Sequence, residues 1–175
     1  NNETILLKEI HFIDASDNTT LRFDGGILEN GDYTSISFTM GLENTMNINN
    51  IYINEGFHAT MFWPEIMGGG YHYMKLEGDF DTITQGYATH TGALQMMGDP
   101  VRMDHSFNNN FDILLTTTNT TEHVNVTINM DINNWYANPN TINLESAIMG
   151  NMQKQMQLQA NGSADVFSVE IVTRP

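Results

Sequence analysis

Six histidines offer the most chemistry in this sequence: His11, His58, His72, His90, His105 and His123. Neutral imidazole is the commonest protein ligand for copper and zinc. No two of them stand within four residues of each other, so no local metal motif can be read. Four, however, fall on or beside consecutive strands or loops: His58, His72, His90 and His105. Adjacent strands run about 4.8 Å apart, so such residues can converge at a sheet edge or at one end of a sandwich. For each the plainer reading is an ordinary surface or hydrogen-bonded histidine, and His11 and His123 are left to that reading. Twelve methionines add a second soft ligand type. Met61, Met67, Met74, Met96 and Met97 crowd the same segments, where thioether could serve Cu(I) or simply fill a core.

Other chemistries find little support. There is no cysteine, which removes disulfides, thiolate zinc sites, iron–sulfur clusters and thiol nucleophiles. The general motifs for serine hydrolases, zinc peptidases and phosphate-binding loops are missing. The run Gly68-Gly69-Gly70 precedes no helix pattern and reads as a turn. Asp79, Asp81, Asp99 and Asp104 lack the spacing of a calcium loop and read as solvated turn acids.

Composition narrows the setting. With 175 residues, 40% hydrophobic and 10% aromatic, the chain suits one domain over residues 1–175 with one core. Only six Lys and Arg face 21 Asp and Glu, a formal charge of −15. That surface repels phosphate backbones, so no nucleic-acid partner is expected, and it attracts cations. No apolar run approaches the roughly 20 residues of a membrane helix. The first residue is Asn1 rather than an initiator Met, which reads as a trimmed product of an exported precursor.

The elements that must position these side chains are mostly strands. Period-two patterns predict strands over residues 5–13, 21–23, 33–40, 71–78, 82–91, 101–107, 111–117, 123–132 and 166–172. Turns are predicted at 14–18, 29–32, 96–100 and 108–110, with a long loop over 41–56. Residues 143–160 instead carry Leu144, Ala147, Ile148, Met152, Met156 and Leu158 at near-helical spacing. Thr141 or Asn143 would cap that helix, Gly150 would interrupt it and Asn161-Gly162 would end it. The expected fold is all-β, an antiparallel β-sandwich with one short helical insertion before the last strand. His72 lies between Tyr71 and Tyr73, and so on the opposite face from both.

Several segments together resemble a known family. They are the strand Thr34-Ser35-Ile36-Ser37-Phe38-Thr39-Met40-Gly41, the element Met61-Phe62-Trp63, the stretch Gly70-Tyr71-His72-Tyr73-Met74-Lys75-Leu76-Glu77-Gly78, and His90-Thr91-Gly92. Asn129-Met130-Asp131-Ile132 and Asp165-Val166-Phe167 complete the series. In this order, over residues 5–173, they resemble the copper-binding MbnP-like domain, with a short start that suggests one N-terminal strand is missing. The resemblance implies a bacterial protein that is periplasmic, a cell-envelope lipoprotein or secreted, with copper as its cofactor. It also implies a site of histidines with an oxidised tryptophan, kynurenine, made by a di-haem peroxidase-like partner. Trp63 and Trp135 are the only tryptophans on which such a change could fall. His90 matches a family position, whereas His72 stands where the family usually has an aromatic or aliphatic residue.

The leading expectation is therefore a non-enzymatic protein that captures or delivers copper. Its ligands would be His72 and His90, with His58 or His105 completing the set, and Trp63, Trp135, Met61 and Met74 would be modified or neighbouring side chains. The competing expectation is a carbohydrate-binding or adhesion module that stacks sugars on exposed Trp63, Tyr71 and Tyr73. A hydrolase pairing Glu65 with Glu77 is the third reading, and nothing in the sequence sets their separation.

Overall fold

The computed structural model describes residues 3–80, 85–118, 123–144 and 147–174. Within them the chain is all-β and antiparallel, as its patterning predicts. Strand β1 (Gly31–Met40) pairs with β6 (Phe107–Thr117), and β2 (His72–Phe80) with β3 (Gln85–Gly92). The short β4 (Leu94–Gln95) pairs with β5 (Arg102–Met103), and β7 (His123–Met130) with β8 (Phe167–Arg174). A one-turn helix α1 (His58–Met61) precedes β2, and α2 (Met152–Gly162) precedes β8. No helix among the described residues is long and apolar enough to cross a membrane.

These ladders meet over one core. Trp135, Ile142, Ile148, Leu158, Val166 and Met74 form its buried centre. Met40 of β1, Leu76 of β2, Phe107 of β6 and Phe167 of β8 pack against them. The alternation of β1 is realised, with Ile36, Phe38 and Met40 half-buried and their neighbours exposed. The alternation of β7 is only half used, because Val126, Ile128 and Met130 stay exposed.

Four expectations are corrected. Residues 5–13 and 21–23 form no strand. Most of their apolar side chains find no core, with Leu6 76% and Ile13 61% exposed, although Phe12 stacks on Phe57. The intervening Asp14 and Asp17 bond their own backbone, taking Ser16 and Thr19 amides at 2.9 Å, which competes with a ladder. The strand predicted over 101–107 shrinks to β5. The turn predicted at 108–110 is instead the interior of β6, where Asn108, Asn109 and Asn110 pair with Thr39, Phe38 and Ser37. Pairing overrides the turn preference of asparagine there, helped by the Thr39 hydroxyl donating to Asn108 Oδ1 at 2.6 Å. The helix begins after Gly150 rather than near Asn143, with the Asn151 side chain accepting from the Lys154 amide. Residues 82–84 of the strand predicted over 82–91 lie outside the described residues.

Two polar hubs tie loops to this frame. Arg102 donates to the carbonyls of Gly68 and Gly69 at 3.2 Å and of Asn47 at 2.8 Å, joining the loop before α1 to the glycine turn. Gly70 sits at φ 89°, a region that suits glycine, and its amide donates to Asn49 Oδ1. Gln155, buried on α2, donates to the His90 carbonyl at 2.7 Å and accepts from the Gly92 amide at 3.3 Å. One amide side chain thus fixes the backbone on both sides of Thr91. Replacing Gln155 by Leu leaves those two groups unpaired and should lower stability by about 1–3 kcal/mol. An unchanged urea midpoint would contradict this role.

Candidate metal centre

An extra residue in β2 sets the geometry of the site. In the β2–β3 ladder His72 pairs with Gly92, but Met74 pairs with Thr91 and Lys75 with His90. Tyr73 is therefore an additional residue, a β-bulge that re-aims the chain. Strict alternation would put His72 on the face of Met74 and Leu76, against the core. The bulge turns Tyr73 and Met74 both inward, so His72 shares its face with Lys75, Glu77 and the cross-strand His90. The rings of His72 and His90 lie 5.0 Å apart, nearly perpendicular.

Trp63 closes one side of this pair. Its ring lies 4.8 Å from that of His72 and is wholly buried, with Nε1 donating to the Met67 carbonyl at 3.2 Å. The indole packs directly on Gly92, where an added Cβ would fall 2.7 Å from Trp63 Cε3. Only glycine admits the tryptophan at that distance.

Each imidazole is oriented by its own acceptor. His72 Nδ1 donates to the Met61 carbonyl at 3.1 Å, which leaves Nε2 with its lone pair. That Nε2 is buried and has no hydrogen-bond partner. Burial, with the neighbouring His90 and Lys75 adding a smaller effect, pulls the pKa of His72 down to about 4. The ring is thus neutral at any physiological pH. His90 Nε2 meets Glu77 Oε1 at 2.6 Å, and that hydrogen bond holds the Glu77 carboxyl below its usual range. His105 is similar in kind: Nδ1 donates to the Gly92 carbonyl at 3.0 Å, Nε2 is buried without a partner, and burial lowers its pKa.

The structure sorts the predicted residues. His72, His90 and Trp63 come together. His105 is tied to the same strand end through Gly92. His58 belongs elsewhere: its Nδ1 bonds the Tyr71 hydroxyl at 2.9 Å among Tyr71 and Phe62, on the face of β2 opposite His72. Met61 contributes its carbonyl, and Met74 is core. Trp135 is core too, between Phe107 and Phe167. No group of three or more His, Cys, Asp or Glu among the described residues is placed to hold a metal ion. The fold brings the expected pair His72 and His90 together, and of the two candidates to complete the set it ties His105 to the same strand end and His58 to Tyr71. Glu77 and Gln155 were not legible as parts of this site, since Glu77 meets His90 through the strand register and Gln155 reaches it from α2. The adjacent apolar pair Tyr73-Met74, which breaks the period of two, was the one local sign of the bulge.

The competing sugar-stacking expectation loses its premise, because Trp63, Tyr71 and Tyr73 are all buried. The two carboxylates of the hydrolase reading have different partners: Glu65 accepts from Asn49 at 3.3 Å while Glu77 holds His90.

An antiparallel β protein with two facing imidazoles against a buried tryptophan is the class that fold and site define. The family model described as MbnP matches residues 1–157, and the chain belongs to that family. The matched span ends within α2, so β8 lies outside it, although the sequence resemblance extends to residue 173. Neither the curated proteins nor the solved structures gave a match.

Two outcomes follow. Gly92→Ala should push Trp63 off the strand, costing about 1–3 kcal/mol, with a shifted tryptophan emission as the readout. The metal-free protein should lose stability as pH falls from about 6.5 to about 4. In that window the unfolded chain protonates its histidine and the folded His72 does not. The 2.5-unit gap corresponds to roughly 3 kcal/mol, and His105 acts in the same direction. Denaturation midpoints of His72→Leu should show a clearly shallower acid slope than wild type.

Proposed function

We propose that this chain is a copper-binding protein that holds one ion between His72 and His90, with Trp63 packed against the site. The observation that carries the reading is His72 Nε2: a buried lone pair with no hydrogen-bond partner, 5.0 Å ring to ring from a second imidazole. Such an atom is costly to leave unpaired, and a cation is the partner that repays it. The donor set suits the ion. Imidazole nitrogens are good copper ligands, and metal–nitrogen bonds of about 2 Å let one ion reach both rings at this separation. Because His72 keeps its lone pair down to about pH 4, protons barely compete for it. The net charge of −15 favours cation approach.

Membership of the MbnP family supports the choice of copper over zinc, and with it an exported setting: the periplasm, the cell envelope or outside the cell. In this reading the protein captures or delivers the ion and catalyses nothing. A di-haem peroxidase-like partner belongs to the same proposal, and Trp63 is then the residue on which its oxidation would matter. Conversion to kynurenine would appear as about 4 Da in the intact mass.

Copper titration of the metal-free protein tests the reading. His90→Ala and His72→Ala should each weaken binding at least tenfold, or about 1.4 kcal/mol, while His58→Ala should leave it unchanged. Wild-type affinity in the His72 and His90 variants would overturn the assignment.

A further inference from the structure

The two histidines of the pair are held by different atoms. A backbone carbonyl, that of Met61, takes the hydrogen of His72 at Nδ1. For His90 the acceptor is a carboxylate, and it takes the hydrogen at Nε2, 2.6 Å from Glu77 Oε1. An ionised carboxylate has only acceptor sites, so the hydrogen of that bond sits on His90 and Nδ1 is left as its lone-pair nitrogen.

We propose that Glu77 is a positioning residue that selects the nitrogen His90 offers, so that the pair presents unlike atoms: Nε2 from His72 and Nδ1 from His90. This rests on the copper reading above and adds how the site is wired. The placement follows from the ladder. Lys75 is the cross-strand partner of His90, and Glu77 is the next residue on that face, a diagonal neighbour within reach of a long side chain. The bulge at Tyr73 brings His72 onto the same face, so one register serves both rings. Lys75 Nζ lies 3.9 Å from Glu77 Oε1, a weak exposed pair that leaves the short contact to His90 dominant. A carboxylate on the far nitrogen also raises the basicity of the ligating one and fixes the ring plane. Its negative charge offsets part of an incoming cation's charge.

Nitrogen-15 spectra of the metal-free protein above pH 7 decide the matter, since long-range proton correlations distinguish the two neutral forms of each ring. His72 should be in the Nδ1–H form and His90 in the Nε2–H form. Glu77 is more than half exposed at its side chain, so Glu77→Leu should fold. That variant should show His90 averaging between forms while His72 is unchanged. Glu77→Gln keeps an acceptor oxygen and should restore most of the wild-type pattern. Added Ag⁺, a closed-shell stand-in for Cu(I), should shift Nε2 of His72 and Nδ1 of His90, and Glu77→Leu should weaken its binding about tenfold or more. A His90 that is Nδ1–H in wild type, that responds to Ag⁺ at Nε2, or that ignores Glu77→Leu overturns the proposal. Expected ring forms with no response of either ring to Ag⁺ would uphold Glu77 as the positioning residue and overturn the copper reading instead.

Discussion

A period of two leaves a strand no freedom: residue by residue, side chains alternate between faces, and only an inserted residue can change the phase. In β2 that insertion falls at Tyr73, and the site depends on it. Before it, His72 points to the outer face; after it, Met74 and Leu76 point to the core while Lys75 and Glu77 point outward. Without the extra residue His72 would be directed into the hydrophobic cluster. The core and the histidine pair would then compete for one face.

The surroundings of the pair are built to keep this phase. Gly92, directly opposite His72, has no side chain and so lets the Trp63 ring cover the strand. Gln155 holds the backbone of β3 at His90 and Gly92 from the far side, through α2. Arg102 fastens the glycine turn that leads from Trp63 back to His72. Gln155 and Arg102 are polar groups satisfied within the fold, and with Gly92 they hold the backbone that carries the two rings. Against that background Nε2 of His72 is buried without a partner, a condition it shares with Nε2 of the nearby His105.

Burial and charge then divide the labour between the rings. His72 is dry and neutral, ready to donate its lone pair without first losing a proton. His90 lies closer to solvent beside a carboxylate, which keeps the charge of the pair in reach of water.

Much of this was legible in the residues. The patterns of residues 33–40, 111–117, 123–132 and 166–172 found their strands, the third ending at Met130, because alternation reports a half-buried surface directly. The helix before the last strand and the interruption at Gly150 followed from spacing and backbone propensity, and His72 and His90 stood out as imidazoles within strand patterns. Asn108 to Asn110 misled because local turn preference yields to a partner strand, and residues 5–13 misled because alternation without a core to face makes no strand. What tertiary structure alone decided was which rings meet. His72 and His90 are 18 residues apart by number, and their meeting is a matter of register, where one inserted residue reverses the outcome. His58 carries the same chemistry in the same stretch of chain and was sent to the other face, since ligand type is a property of the residue but convergence is a property of the pairing.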